Sequence, residues 1–184
     1  MNIKLITKNK KPIITFIFII ITSLPEVAFS STLDGRIIKI IDGDTVYFQS
    51  VGDNNYIKLR LVGIDAPELN QPFGHKSKQC LANLLNNRSV QIISFGEDRY
   101  KRTLAKLLIE EIDINLTMIR EGCAWFYRRY KQTLNKNDQF MYEQAEIFAI
   151  DNKKGLFGNH NPEAPWDWRK KNWTIFYITY QYVT

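Results

Sequence analysis

The chain has 184 residues, 45% hydrophobic and 24% charged, with a formal net charge of +6. That balance suits one compact domain with tails and excludes both a disordered chain and a polytopic membrane protein. Two cysteines (Cys80, Cys123) and two histidines (His75, His160) are too few for a disulfide scaffold, a four-cysteine zinc centre or His-rich metal chemistry, so any catalysis has to rest on carboxylates and cations.

Residues 1–30 differ in kind from the rest. Lys4, Lys8, Lys10 and Lys11 precede an apolar stretch from Ile13 to Leu24, and Ala28-Phe29-Ser30 follows with a small-x-small spacing. This is the pattern of a cleaved export signal, and the apolar run is short of the roughly 20 residues a membrane-crossing helix needs. A secreted or periplasmic protein without a stable membrane anchor is expected. Losing Lys4, Lys8, Lys10, Lys11 and Glu26 would lower the charge from +6 to +3, still inclined toward polyanions. Export would also let Cys80 and Cys123 form a disulfide; two buried apolar thiols are the other reading, and sequence does not choose between them.

Gly35–Ile41 and Asp44–Val51 are rich in β-branched and aromatic residues and are split by Asp42-Gly43, which predicts a hairpin. Tyr56–Ile64 alternates, with Ile57, Leu59 and Leu61 on one face and Lys58, Arg60 and Val62 on the other. Leu81, Leu84 and Leu85 have helical spacing within a segment from about His75 to Asn87. Ser89–Phe95 and Thr103–Glu110 read as strands around a charged turn. Helices are predicted over Asn115–Glu121 and from Asn137 to about Lys153, the latter with Phe140, Ala145, Ile147 and Phe148 facing inward. Five short strands, three helices and no βαβ repeat predict an α+β domain on a small closed barrel. The expected division is a signal over 1–30, a domain over 31–158 and an aromatic-rich tail over 159–184. That tail, with Trp166, Trp168, Trp173, Phe176, Tyr177, Tyr180 and Tyr182, reads better as a strap over exposed core than as a base-stacking platform.

The chemistry concentrates in two acidic clusters and two arginines. Asp42-Gly43-Asp44-Thr45 sits at the hairpin turn, and Asp65-Ala66-Pro67-Glu68 follows the strand carrying Arg60. If those strands are neighbours, Asp44, Asp65 and the Ala66 carbonyl could offer an open, water-rich site to a hard cation such as calcium, which takes roughly six to eight oxygen ligands. Arg60 and Arg102 carry planar guanidinium groups that grip phosphate with paired hydrogen bonds. Around a phosphodiester they would stabilise charge gained during hydrolysis, while Glu68 orients or deprotonates water.

Ile41-Asp42-Gly43-Asp44-Thr45-Val46, Arg60-Leu61-Val62-Gly63-Ile64-Asp65-Ala66-Pro67-Glu68, Asp98-Arg99-Tyr100-Lys101-Arg102-Thr103-Leu104-Ala105 and Gly122-Cys123-Ala124-Trp125 to Tyr130 together resemble the staphylococcal nuclease family, in order and at matching spacings from about Leu33 to Phe157. The resemblance implies an OB-fold, a five-stranded β-barrel with three α-helices. It implies a calcium-dependent endonuclease that cuts DNA and RNA with little sequence specificity and leaves 3′-phosphate ends. It places metal ligands at Asp44, Asp65 and the Ala66 carbonyl, catalytic groups at Arg60, Glu68 and Arg102, and substrate contacts at Arg99, Tyr100 and Tyr130, with Tyr127 less secure. Asp42 would stand behind the metal ligands. Three departures stand out: Ala66 where the best-known member has threonine; Lys101 where a glycine is common, which predicts a different bend in the loop presenting Arg102; and the aromatic tail after Gly158, outside the well-matched region, although Pro165-Trp166-Asp167-Trp168-Arg169 resembles an ending of some secreted bacterial relatives. DNA and RNA are the expected partners, met as a monomer. A non-catalytic barrel that grips single strands is the main rival, and a phosphodiesterase for small nucleotides a second; a pure binder has no need for Glu68 beside phosphate-gripping arginines.

Overall fold

The computed structural model describes residues 32–173. The expected export signal and the tail aromatics Phe176, Tyr177, Tyr180 and Tyr182 lie outside the described residues. In chain order the elements are β1 (Thr32–Ile40), β2 (Thr45–Ser50), β3 (Ile57–Leu61), β4 (Ile64–Asp65), α1 (Gly74–Leu85), β5 (Ser89–Glu97), β6 (Thr103–Ile109), β7 (Ile112–Asp113), α2 (Ile114–Arg120), β8 (Trp125–Phe126) and α3 (Lys136–Asp151). A further helix, α4, begins at 165 and continues to 173, the last residue described.

β1 and β2 form the hairpin that Asp42-Gly43 predicts, β2 pairs antiparallel with β3, and β1 pairs on its other side with β5. β6 pairs antiparallel with β5 and parallel with β3, matching Leu59 to Thr103 and Leu61 to Ala105. That last pairing closes five strands, in the order β3-β2-β1-β5-β6, into a barrel without free edges. The fold is the α+β OB barrel expected from the sequence. Val46, Phe48, Leu59, Leu61, Ile92, Ala105 and Leu107 fill its interior, each at most 1% exposed. Period-two alternation therefore sends Arg60 out of the barrel while Leu59 and Leu61 go in. Val62, expected on Arg60's face, is buried instead, because the strand ends at Leu61 and the chain turns at Val62-Gly63 into β4.

Asn115 pins that turn. Its side-chain amide donates to the carbonyls of Val62 and Ala105 at 3.0 and 3.1 Å, and its oxygen accepts the N–H of Leu107 at 3.2 Å. A buried polar side chain thus satisfies the backbone where β3 and β6 part, and the turn is held where β4 presents Asp65. Cys80 of α1 is bonded to Cys123, 43 positions away, with Cα atoms 6.3 Å apart. Of the two readings open from sequence, the disulfide is the one present. It ties α1 to the segment leading into β8, which pairs with β4.

The inward stripe expected on α3 is corrected. Phe140, Ile147 and Phe148 are 59%, 44% and 38% exposed, whereas Tyr142, Ala145, Glu146 and Ala149 are buried. Hydrophobicity misassigns the face because its polar members have partners waiting. The Tyr142 hydroxyl donates to Asp113 at 2.9 Å, and Glu146 accepts the Phe126 N–H at 2.9 Å and pairs with Arg128. A buried polar group so satisfied is tolerated where an unpaired one is not.

Candidate active site

Asp42, Asp44, Arg60, Asp65, Ala66, Glu68, Arg99, Tyr100, Arg102 and Tyr130, every side chain or carbonyl singled out from the sequence, line one open cavity of about 660 Å³. Local structure explains why. The register pairs Thr45 with Arg60, so the residue before β2 and the last exterior residue of β3 meet at one end of the barrel. Asp42 Oδ1 accepts the Asp44 N–H at 3.0 Å, a side-chain turn that fixes Asp44's direction. Gly43 allows this approach, since a Cβ there would lie 1.9 Å from Ser77 Oγ and 2.7 Å from the Ala66 Cβ.

Asp44 then crosses to the second cluster, accepting the Ala66 N–H on Oδ2 at 2.7 Å and the Thr45 hydroxyl on Oδ1 at 3.0 Å. Arg60 sits between the acids. Its Nη2 is 3.1 Å from Asp44 and 2.9 Å from Asp65, and its Nη1 donates to the carbonyls of Leu61 and Ile64, both at 2.8 Å. Asp44 and Asp65 are buried and Asp42 and Glu68 partly so. Burial, and then the neighbouring charge of Asp44, pushes the Asp42 carboxyl from 3.8 up to about 6. Burial likewise raises Asp65, against the hydrogen bond from Arg169 and the charge of Arg60.

Arg102 approaches from the far wall. Asp98 holds it, with Oδ2 2.7 Å from both Nε and Nη2, and Tyr100 packs under the guanidinium with its ring centre 5.5 Å away. Asp98 Oδ1 accepts the backbone N–H groups of Tyr100 and Arg102 at 2.8 and 3.0 Å. Burial opposes the charge on Asp98, but the backbone and side-chain hydrogen bonds from Arg102 outweigh it and hold the carboxyl below 3.8. Lys101, at a position where the resemblance expects glycine, has φ 59. It takes up the left-handed conformation that a glycine would supply freely.

Trp166 and Arg169 of α4, read from the sequence only as part of the tail, also line this cavity. Trp166 stacks on Tyr127 at 5.5 Å and 17° and meets Trp125 edge-on at 5.8 Å. Arg169 Nη2 is 2.7 Å from Asp65 Oδ2, and its Nη1 lies 3.2 Å from Asp65 Oδ1 and 2.8 Å from Glu68 Oε1. The aromatic tail is thus a strap in part, with Ala164 and Pro165 buried, and its next turn reaches the acids. The Trp166-to-Arg169 spacing was the available signal, but no local rule says where a tail will dock.

A hard cation fits this donor set. All candidate ligands are oxygens, and one cationic nitrogen already lies within 3.1 Å of both Asp44 and Asp65, so the two carboxylates can share a positive charge. Four carboxylates, Asp42, Asp44, Asp65 and Glu68, gather against the guanidiniums of Arg60 and Arg169. Burial is the main reason the Asp42 and Asp65 carboxyls are raised, with the Asp44 charge adding to it at Asp42. Among the described residues no three His, Cys, Asp or Glu side chains form a ready-made metal cage.

A closed five-stranded OB barrel with carboxylates and guanidiniums at one mouth defines a class of α+β domain suited to phosphate chemistry. The sequence matches the family described as "Staphylococcal nuclease homologue" over residues 58–159, and the chain belongs to that family. It is 36% identical over 173 residues to an "Uncharacterized endonuclease" of Haemophilus influenzae, covering 94% of this chain and 93% of the relative. It is 35% identical over 161 residues to a "Micrococcal nuclease" of Shigella flexneri, covering 83% and 87%. A "Probable staphylococcal-like nuclease CAN1" of Oryza sativa shares 33% over 113 residues, covering 61% of this chain and 32% of that one.

Proposed function

We propose that this chain is a calcium-dependent endonuclease that hydrolyses phosphodiester bonds of DNA and RNA with little sequence preference and leaves 3′-phosphate ends. The observation that carries the reading is the pair of distances from one Arg60 nitrogen to Asp44 and Asp65, 3.1 and 2.9 Å, beside Glu68 and within one cavity with Arg102. Family membership and relatives named as nucleases point the same way.

Asp44, Asp65 and the Ala66 carbonyl would hold calcium, which when bound supplies Lewis-acid polarisation of a phosphate oxygen and lowers the pKa of water. Arg60 and Arg102 grip the scissile phosphate from two walls and stabilise the charge its oxygens gain. Glu68 takes the proton of the attacking water as the water oxygen bonds to phosphorus, and the 5′ oxygen leaves with the electrons of the broken P–O bond and takes a proton from solvent water. Arg99, Tyr100 and Tyr130 line the approach, where Tyr100 and Tyr130, 64% and 47% exposed, can stack on bases in the sequence-tolerant manner of single-strand binders. Asp42 orients Asp44 through its backbone. The molecule acts as a monomer on extended or locally opened strands.

Export to a secreted or periplasmic location is part of the proposal. It rests on the residue 1–30 pattern and on the Cys80–Cys123 bond, since disulfides persist in oxidising compartments. Among the described residues no helix is long and apolar enough to cross a membrane.

The test is incubation of the purified mature chain with single-stranded DNA after chelation, then with calcium or magnesium restored, followed by end-group analysis. Calcium-restored cutting with 3′-phosphate ends is expected. Full activity with magnesium alone, or 5′-phosphate ends, would overturn the assignment.

A further inference from the structure

The mechanism above assigns nothing to Arg169, yet this side chain pairs with two of the carboxylates in the cavity. Both prongs of the guanidinium engage Asp65, at 2.7 and 3.2 Å, and Nη1 also reaches Glu68 at 2.8 Å. It thereby holds one carboxylate that would bind metal and the one that would take a proton from water. Asp65 is 1% exposed and Arg169 37%, so the acid is fixed in the floor while the arginine enters from the solvent side. Two cations competing for one buried carboxylate repel each other, and a carboxylate hydrogen-bonded by a two-pronged guanidinium has little lone-pair capacity left for a metal.

We infer that Arg169 is a built-in counter-cation of the metal site, seated on Asp65 and Glu68 when no metal is bound and displaced when metal binds. The inference rests on the proposed reading of Asp44 and Asp65 as metal ligands. The α4 backbone does not have to move. Ala164 and Pro165 are buried, Trp166 is stacked on Tyr127, and the Gln71 side chain donates to the Glu163 carbonyl at 2.7 Å. These contacts hold the helix start while the half-exposed Arg169 side chain swings outward. Seated, the guanidinium relieves repulsion among Asp44, Asp65 and Glu68 in the metal-free protein. Displaced, it frees Glu68 in the same step that fills the site, so the proton acceptor becomes available only once the cation is present.

A ligand that must first displace a seated group binds more weakly by the factor by which seating is favoured. The test is calorimetric titration of the metal-free full chain with calcium chloride, comparing wild type with Arg169→Met, which keeps the stem and removes the charge, and with Arg169→Lys, which keeps the charge and loses the fork. Arg169→Met is expected to bind calcium about tenfold more tightly than wild type and Arg169→Lys by an intermediate factor. Unchanged or weaker calcium affinity in the variants, with wild type binding normally, overturns the inference and leaves the nuclease reading standing. Absence of calcium binding in wild type and variants alike overturns both. If Arg169→Met does not fold, Arg169→Lys decides alone: tighter than wild type supports the inference, equal or weaker overturns it.

Discussion

Asp44 Oδ2 accepts the backbone N–H of Ala66 at 2.7 Å, so the two acidic clusters, 22 positions apart in sequence, are fastened to each other by a side chain expected to bind metal. The same carboxylate lies 3.1 Å from Arg60. Geometry at the barrel mouth is therefore set by a few buried polar contacts, each of which can be removed singly.

Arg60 places Nη1 on two backbone carbonyls and Nη2 between two carboxylates. A lysine has one point charge and cannot occupy both positions. Arg60→Lys and Arg60→Ala should each lower kcat on DNA by about a hundredfold or more at saturating calcium. A near-normal lysine variant would argue against a guanidinium clamp.

Asp98→Ala removes the acceptor that holds Arg102 and its loop. Turnover should fall at least about tenfold through misplacement of Arg102. The sign of the pH effect follows from the lowered carboxyl. Because the folded pKa lies below 3.8, the stability that Asp98 contributes is present above pH 3.8 and is lost as pH falls through the folded value. Urea unfolding of both proteins should show a gap that closes on acidification below 3.8; a gap that widened there would contradict this account of Asp98.

Lys101 bears a left-handed φ of 59. Replacement by glycine should relieve roughly 1 kcal/mol of backbone strain, partly offset by the greater freedom of glycine in the unfolded chain. A small net rise in the urea midpoint is expected, with the Asp98–Arg102 contact kept. A clear loss of stability would mean that the lysine side chain, and not its backbone, matters there.

Reducing the Cys80–Cys123 bond releases a closure across 43 positions, and about 2–4 kcal/mol of stability should go with it. Thermal unfolding with and without reductant measures the difference. No change would mean that α1 and the β8 segment are held by packing alone.

Much of this is legible in the sequence. Alternation in Tyr56–Ile64 placed Arg60 outside the barrel, and Asp42-Gly43 marked the hairpin, because both signals are local and periodic. Reading failed where tertiary partners override hydropathy. Phe140 and Ile147 are exposed on α3 while Tyr142 and Glu146 are buried, satisfied by Asp113, Phe126 and Arg128. Arg169 was out of reach for a related reason. Its contacts with Asp65 and Glu68 span 104 and 101 positions, and the resemblance of Pro165 to Arg169 to an ending in relatives does not say where that ending docks.

The sharpest single measurement is turnover of single-stranded DNA by Glu68→Gln at saturating calcium, with strand affinity determined in parallel. Glutamine keeps the shape but cannot take the proton, so kcat should drop by roughly 10²–10⁴ with affinity nearly unchanged. Turnover equal to wild type would remove Glu68 from the chemistry, and absence of turnover in wild type itself would leave a barrel that holds nucleic acid without cutting it.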